Sequence, residues 1–190
     1  METKKQSRKD VNIEEFSDRI AFIIPDLAEI TDYQKKTSAR RYLVDMGKEI
    51  LPQINKLLLS KNTHLRKEAS KIIELIADKE SISVLIDLLD DDDGSIRWIA
   101  AEGLVHIGRD SIVPLLNKLV QKGDNLYLKQ GARHTFLSLF SEEEKEEFKP
   151  LLLSLKNYNN ISILAPVEAF RALIIFKHLN AVKSKVEYWH

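Results

Sequence analysis

The chain has 190 residues, enough for one domain with a sizeable core, and its 44% hydrophobic and 31% charged content is that of an ordinary globular protein. Lys plus Arg and Asp plus Glu both number 29, so no overall basic surplus points to nucleic acid or an anionic membrane surface. Cysteine is absent, which excludes disulfides, thiolate zinc sites, iron–sulfur clusters and cysteine nucleophiles, and six Gly with five Pro argue against a turn-rich all-β fold.

Residues 1–10, METKKQSRKD, are mostly polar and charged and predict a disordered tail, leaving 11–190 as the folded domain. The start, METKKQSRKDVNIEEF, has no apolar core of a signal peptide, and no later run reaches the roughly 18 apolar residues of a membrane span. The expectation is a cytoplasmic protein with no membrane segment. From Ile13 onward, Phe16, Ile20, Ile23, Ile24 and Leu27 fall at helical spacing and predict the opening helix.

The middle of the chain repeats. A shift of 31 places Leu65, Arg66, Ala69, Ile73 and Ile76 on Ile96, Arg97, Ala100, Leu104 and Ile107. The same shift carries Leu51, Pro52, Ile54 and Leu57 onto Ile82, Ser83, Leu85 and Leu88, and then onto Val113, Pro114, Leu116 and Leu119. A shift of 32 continues the first series at Leu128, Lys129, Ala132, Phe136 and Leu139. Weaker copies contain Ala39, Leu43 and Met46 before these, and Ala169, Leu173 and Phe176 after them. Two insertions stretch the spacing ahead of the last copy: SEEEKEE, with Ser141 as a helix cap and acids in the first turn, and NYNN at Asn157 to Asn160.

Each copy reads as two helices, a short apolar one and a longer one such as IRWIAAEGLVHIG, whose apolar residues recur at steps of three and four. One such pair cannot bury its apolar faces alone, but stacked pairs can. The pattern therefore predicts an all-α solenoid. It resembles the HEAT-repeat family, in particular short bacterial HEAT-like repeats and the phycobilisome-lyase-like HEAT group. The residues that carry the resemblance are the apolar-Pro entry IVPLL, the turn DDDGS, and IRWIAAEGLVHIG with its Arg followed by Ala, and it spans roughly Ile20 to Val182. It implies a right-handed superhelix of about five helical hairpins and says almost nothing about activity.

In that family an Asp or Asn in the turn inside each repeat accompanies an Arg or Lys early in the second helix. Asn62 with Arg66, Asp93 with Arg97, and Asn125 with Lys129 match it. The resemblance implies that the first member of each pair caps the helix while the cation reaches an adjacent turn. The run DDDDG, Asp90 to Gly94, fails as a calcium loop because Leu89 and Ala100 stand where its first and last acids would be, so it reads as a capping turn.

Superposing the second helices leaves three rows off the apolar stripe. They read Thr37, Lys67, Trp98, Gln130, Val167; Arg41, Lys71, Glu102, His134, Arg171; and Val44, Glu74, Val105, Leu137, Ile174. In HEAT arrays the second helices line the concave side, so the resemblance implies that these rows face a groove. Trp98 reads either as an interface anchor or as a lid over a neighbouring helix, and both readings stay open.

Chemistry finds little support. None of His64, His106, His134, His178 and His190 is followed by Glu, so the iron-binding His-Glu pairs of HEAT-repeat deoxyhypusine hydroxylases are missing. HEAT-like alkylpurine DNA glycosylases use groove tryptophans, a carboxylate and cations, an inventory echoed by Trp98, Glu102, His134 and Arg171. The neutral net charge, and the placement of the second tryptophan at Trp189, speak against DNA. The expectation is a non-enzymatic scaffold or adaptor with no cofactor and no metal. It binds a protein partner through Arg41, Lys67, Lys71, Trp98, Glu102, Gln130, His134 and Arg171. The sequence leaves open the oligomeric state, and whether Tyr188 and Trp189 cap the fold or mediate self-association.

Overall fold

Helices start where short polar side chains satisfy free backbone N–H groups. Asn62 Oδ1 accepts from the N–H of His64 (2.9 Å) and Leu65 (3.3 Å) at the start of α4, Thr63–Ile76. Asp93 Oδ1 accepts from Ser95 (2.7 Å) and Ile96 (3.4 Å) to open α6, Gly94–Ile107, and Asn125 Oδ1 from Leu128 (2.9 Å) to open α8, Leu126–Leu139. Asp32 caps α2, Tyr33–Asp45, through Lys35. Each such cap contributes about 1 kcal/mol. The Ser95 hydroxyl and the Ser95 N–H, with the Ile96 N–H, hold the Asp93 carboxyl below its ordinary range, so the cap stays ionised. The capping residues expected from the turn pattern are therefore in place.

This computed structural model describes residues 22–28, 31–156 and 164–187, with side chains as far as residue 178. The expected tail at 1–10, Phe16, Ile20, the loop Asn157 to Asn160, Tyr188 and Trp189 lie outside the described residues. Between the long helices come α1 (22–28), α3 (Leu51–Leu57), α5 (Ile82–Leu88) and α7 (Ile112–Lys122). After α8 follow α9 (Glu142–Glu147), α10 (Lys149–Lys156) and α11 (Leu164–Glu187). Every regular element among the described residues is a helix, and none is long and apolar enough to cross a membrane.

The helices form two layers. α2, α4, α6 and α8 pack in that order side by side, while α3, α5 and α7 cover α4, α6 and α8. α6 and α8 lie in more extensive contact than the shorter α5 and α7, in keeping with the concave side that the HEAT pattern assigns to the second helices. One continuous apolar seam runs between the layers, with Leu43, Ile54, Ile73, Leu85, Leu104, Leu115 and Phe136 fully buried. Close approach has local causes. A Cβ at Gly103 would stand 3.0 Å from Leu85 Cδ2 and 3.4 Å from the Glu74 Cα, so the missing side chain lets α6 lie against α4.

The turns between repeats carry a second regularity. After the second helices the chain bends at left-handed residues, Gly47 (φ 73°), Ala77 (φ 48°) and Gly108 (φ 86°), and crosses outward through 3-10 turns at Gly47–Ile50, Lys79–Ser81 and Gly108–Ser111. Each turn offers a base to the acid of the next unit. Lys48 Nζ lies 3.3 Å from Glu80 Oε1, Lys79 pairs with Asp110, and Arg109 Nη2 donates to Glu144 Oε1 at 2.6 Å. On the opposite edge Arg66 Nε meets Asp91 Oδ2 at 3.3 Å, the cation-to-next-turn contact that the family pattern implied. The exposed pairs, Lys48–Glu80 and Lys79–Asp110, contribute under about 1 kcal/mol each and serve register more than bulk stability, whereas Arg66–Asp91 is largely shielded from water.

The fifth pair departs from the expected stack. Phe140 leaves α8 in an extended conformation (φ −78°, ψ 138°), and α9 then opens with a reciprocal Ser141–Glu144 capping box. Phe148 brings its ring within 5.1 Å of Phe140, which starts α10 at the end of α8 and runs it back along that helix. α11 packs on α10 and, most extensively, on α7. It begins where α7 ends, with Pro166 Cδ 2.8 Å from the place of a Cβ at Gly123, and returns to Arg109, whose guanidinium lies 5.4 Å from the Phe176 ring. α7, α8, α10 and α11 therefore close a ring of alternating direction. As a correction to the expected rows, Val167, Arg171 and Ile174 stand on a helix packed against α7, while α10 occupies the place beside α8.

Candidate partner-binding face

Trp98 is one residue past Arg97 and one short of the buried Ile99, so its indole leaves the seam on the concave side of α6 and is 57% exposed. It does not seal the core. The ring leans on His134 of α8, with centroids 4.6 Å apart and planes tilted by 46°. His134 Nε2 is in turn 2.7 Å from Glu102 Oε1, one helical turn beyond Trp98 on α6. The imidazole is thus held between a carboxylate on α6 and the indole of Trp98.

A cleft of about 270 Å³ opens beside this group, between the first turns of α6 and α8. Trp98, His134 and Gln130 line one part of it and Tyr127 and Arg97 another, with the small residues Ala101 and Gly131 at its base. A Cβ at Gly131 would lie 2.5 Å from Leu89 Cδ2 of the buried seam, so a larger residue there would have to displace that side chain. Arg97 is held rigidly. Its Nη1 donates to the carbonyls of Asp91 (2.7 Å) and Asp92 (3.0 Å), and its guanidinium stacks 3.8 Å from the centre of the Tyr127 ring. The cleft is therefore bounded by two aromatic rings, each already paired with a nitrogen-rich partner.

Toward α2 the same face becomes basic. Lys71 Nζ reaches Glu68 Oε1 at 3.0 Å, and Arg40 Nη1 lies 3.4 Å from Glu68 Oε2 without the alignment of a good hydrogen bond. That carboxylate is almost completely buried, so the two cations offset its desolvation. Arg41 is exposed, and neither it nor Lys67 has a hydrogen bond or ion pair among the described residues. Glu74 faces His106 Nδ1 at 3.7 Å, and burial pushes its carboxyl up, with His106 opposing and Glu102 reinforcing the shift. The four concave helices together hold ten Lys and Arg against four Asp and Glu, a surplus of six in a chain whose total is zero.

The structure thus gathers Trp98, Glu102, Gln130 and His134 around one cleft and sets Lys67, Lys71 and Arg41 along the face beside it. Arg171 is separate, on α11, where its Nη1 donates to Glu168 Oε1 at 2.9 Å. Tyr127 and Arg97 were not singled out as binding residues by the sequence. The signal available was an aromatic at a first-turn position where the other copies carry Ser95 and His64. A larger cavity, about 450 Å³, lies on the outer side between α5 and α7. It has no aromatic lining, and its charges already answer each other through Lys118 and Asp87 at 2.6 Å. Among the described residues no group of three His, Asp or Glu side chains converges as a metal site.

A family model described as HEAT repeats matches residues 32–136, which is 105 of the 190 residues. The match runs from the cap of α2 into α8 and stops ahead of the folded-back pair. No curated protein and no solved structure matches the chain. With a two-layer stack of capped helix pairs over the same residues, the chain belongs to the HEAT-repeat family.

Proposed function

We propose that the protein is a non-enzymatic adaptor that holds a polypeptide segment on the concave face of α2, α4, α6 and α8, with Trp98 as the anchor. The observation that carries the reading is the exposure of Trp98 beside a formed cleft, while its helix neighbours Ile96, Ile99 and Ala100 are buried. A fixed indole next to a concavity offers a large apolar area with little rotamer entropy to lose, the usual basis of an interface hot spot. HEAT repeats commonly serve protein–protein interaction, which agrees with this. The deletion of the indole is therefore expected to act on binding and not on folding.

The test compares wild-type and Trp98→Ala baits in affinity capture from extract, alongside their thermal melts. A stability change within about 0.5 kcal/mol, the range for surface substitutions, is expected together with loss of the proteins that wild type retains. Equal capture by both baits would overturn the reading.

A further inference from the structure

The face described above is not uniform, and its gradient constrains what it can hold. At the α6–α8 end lies an aromatic cleft whose cation, Arg97, is already committed to the carbonyls of Asp91 and Asp92. At the α2–α4 end stand the exposed Arg41, without an ion-pair partner among the described residues, Lys67, whose charge acts on the Asp93 carboxylate, and Lys71, which shares Glu68 with Arg40. The apolar anchor site and these cations are thus on different helices of one layer. Neighbouring packed helices lie roughly 8–10 Å apart, and an extended chain advances about 3.3 Å per residue. One helix spacing therefore corresponds to about three residues of bound peptide and two spacings to about six.

We infer that the segment held here is acidic, with one bulky apolar side chain in the α6–α8 cleft and carboxylates about three and six residues away, over α4 and α2. This rests on the proposed peptide-holding role and adds the chemistry of the partner. Charge complementarity selects it, since Arg41, Lys67 and Lys71 on this face repel a basic segment, and a neutral one leaves the exposed Arg41 unanswered. A nucleic acid fits less well. Its charges recur at every step, and on this face they would meet Glu74 beside α4's cations and Glu102 beside His134. A peptide can place neutral residues at those points.

The experiment pans a displayed library of random dodecapeptides against the full chain and against three variants, Trp98→Ala, Arg41→Glu and Lys67→Glu. Enriched peptides are expected to carry Asp or Glu about three and six residues from an aromatic or large aliphatic residue. Synthetic copies should bind each charge-reversal variant roughly tenfold more weakly and lose affinity as salt is raised. Peptides that need Trp98 but are neutral or basic would overturn the acidic assignment and leave the peptide-holding role intact. Enrichment no greater on wild type than on Trp98→Ala would overturn both. Tighter, salt-dependent binding of a 20-base-pair DNA duplex than of any selected peptide would also overturn the acidic-segment assignment, in favour of a nucleic-acid partner.

Discussion

The middle of the molecule and its C-terminal pair are built from similar apolar stripes and pack them differently. In α3 to α8 each second helix lies beside the previous second helix, and a left-handed residue sends the chain back to the outer layer at Ala77 and again at Gly108. At the corresponding point after α8 stands Phe140, which leaves in an extended conformation and joins a run of rings, Phe136, Phe140, Phe148 and Phe176. A bulky side chain is strongly disfavoured in the left-handed region, whereas Gly is at home there. The lesson is that the stripe decides what is buried, and one residue past the helix end decides against what.

The sharpest way to test that contrast is at the seam. Phe136 is fully buried and stacks on Phe140 with centroids 5.1 Å apart, so Phe136→Ala should cost about 3–5 kcal/mol in denaturant unfolding. Limited proteolysis should then cut the region after Phe140 before the middle repeats. Unchanged cutting with a single unfolding transition would mean that the two regions are one cooperative unit. Gly108→Ala probes the turn, because its backbone (φ 86°, ψ −147°) is one that only Gly adopts freely. A loss of about 1–3 kcal/mol is expected, and a neutral result would remove the left-handed turn as the cause of the regular stack.

The smallest effect belongs to Glu74, on the middle helix α4. Its carboxyl has a raised pKa because burial penalises the charge, so folding favours the protonated form. The charged carboxylate costs stability above the raised pKa, and the cost disappears as pH falls toward the ordinary carboxylate range. Glu74→Gln should therefore raise the melting temperature slightly at neutral pH, and the gain should shrink on acidification. A gain that stays constant down to acid pH would show that the effect is not the buried charge.

Much of this was legible in the residues. The 31-residue period, the Asn62, Asp93 and Asn125 caps and the reach of Arg66 all depend on local spacing, and local spacing is what a sequence displays. The burial side of α11 was legible too, since Ala169, Leu173 and Phe176 are buried as their periodicity requires. Which helix covers them was not, because the same stripe is satisfied equally by α7 or α8. The base-acid dipeptides Lys48-Glu49, Lys79-Glu80 and Arg109-Asp110 repeat in register and could have disclosed the edge ladder, but each alone looks like ordinary surface charge. The exposure of Trp98 lay one helical step from burial, a margin that packing settles and spacing does not.

The reversed closing hairpin also bears on how such a protein can change length. A further 31-residue module appended after α11 would meet helices pointing the wrong way and find no matching berth. The same module spliced in ahead of Phe140 would slide between existing copies, and the four-helix clasp at the end would stay as it is. The face of second helices can thus lengthen from within while the ring of α7, α8, α10 and α11 keeps its packing.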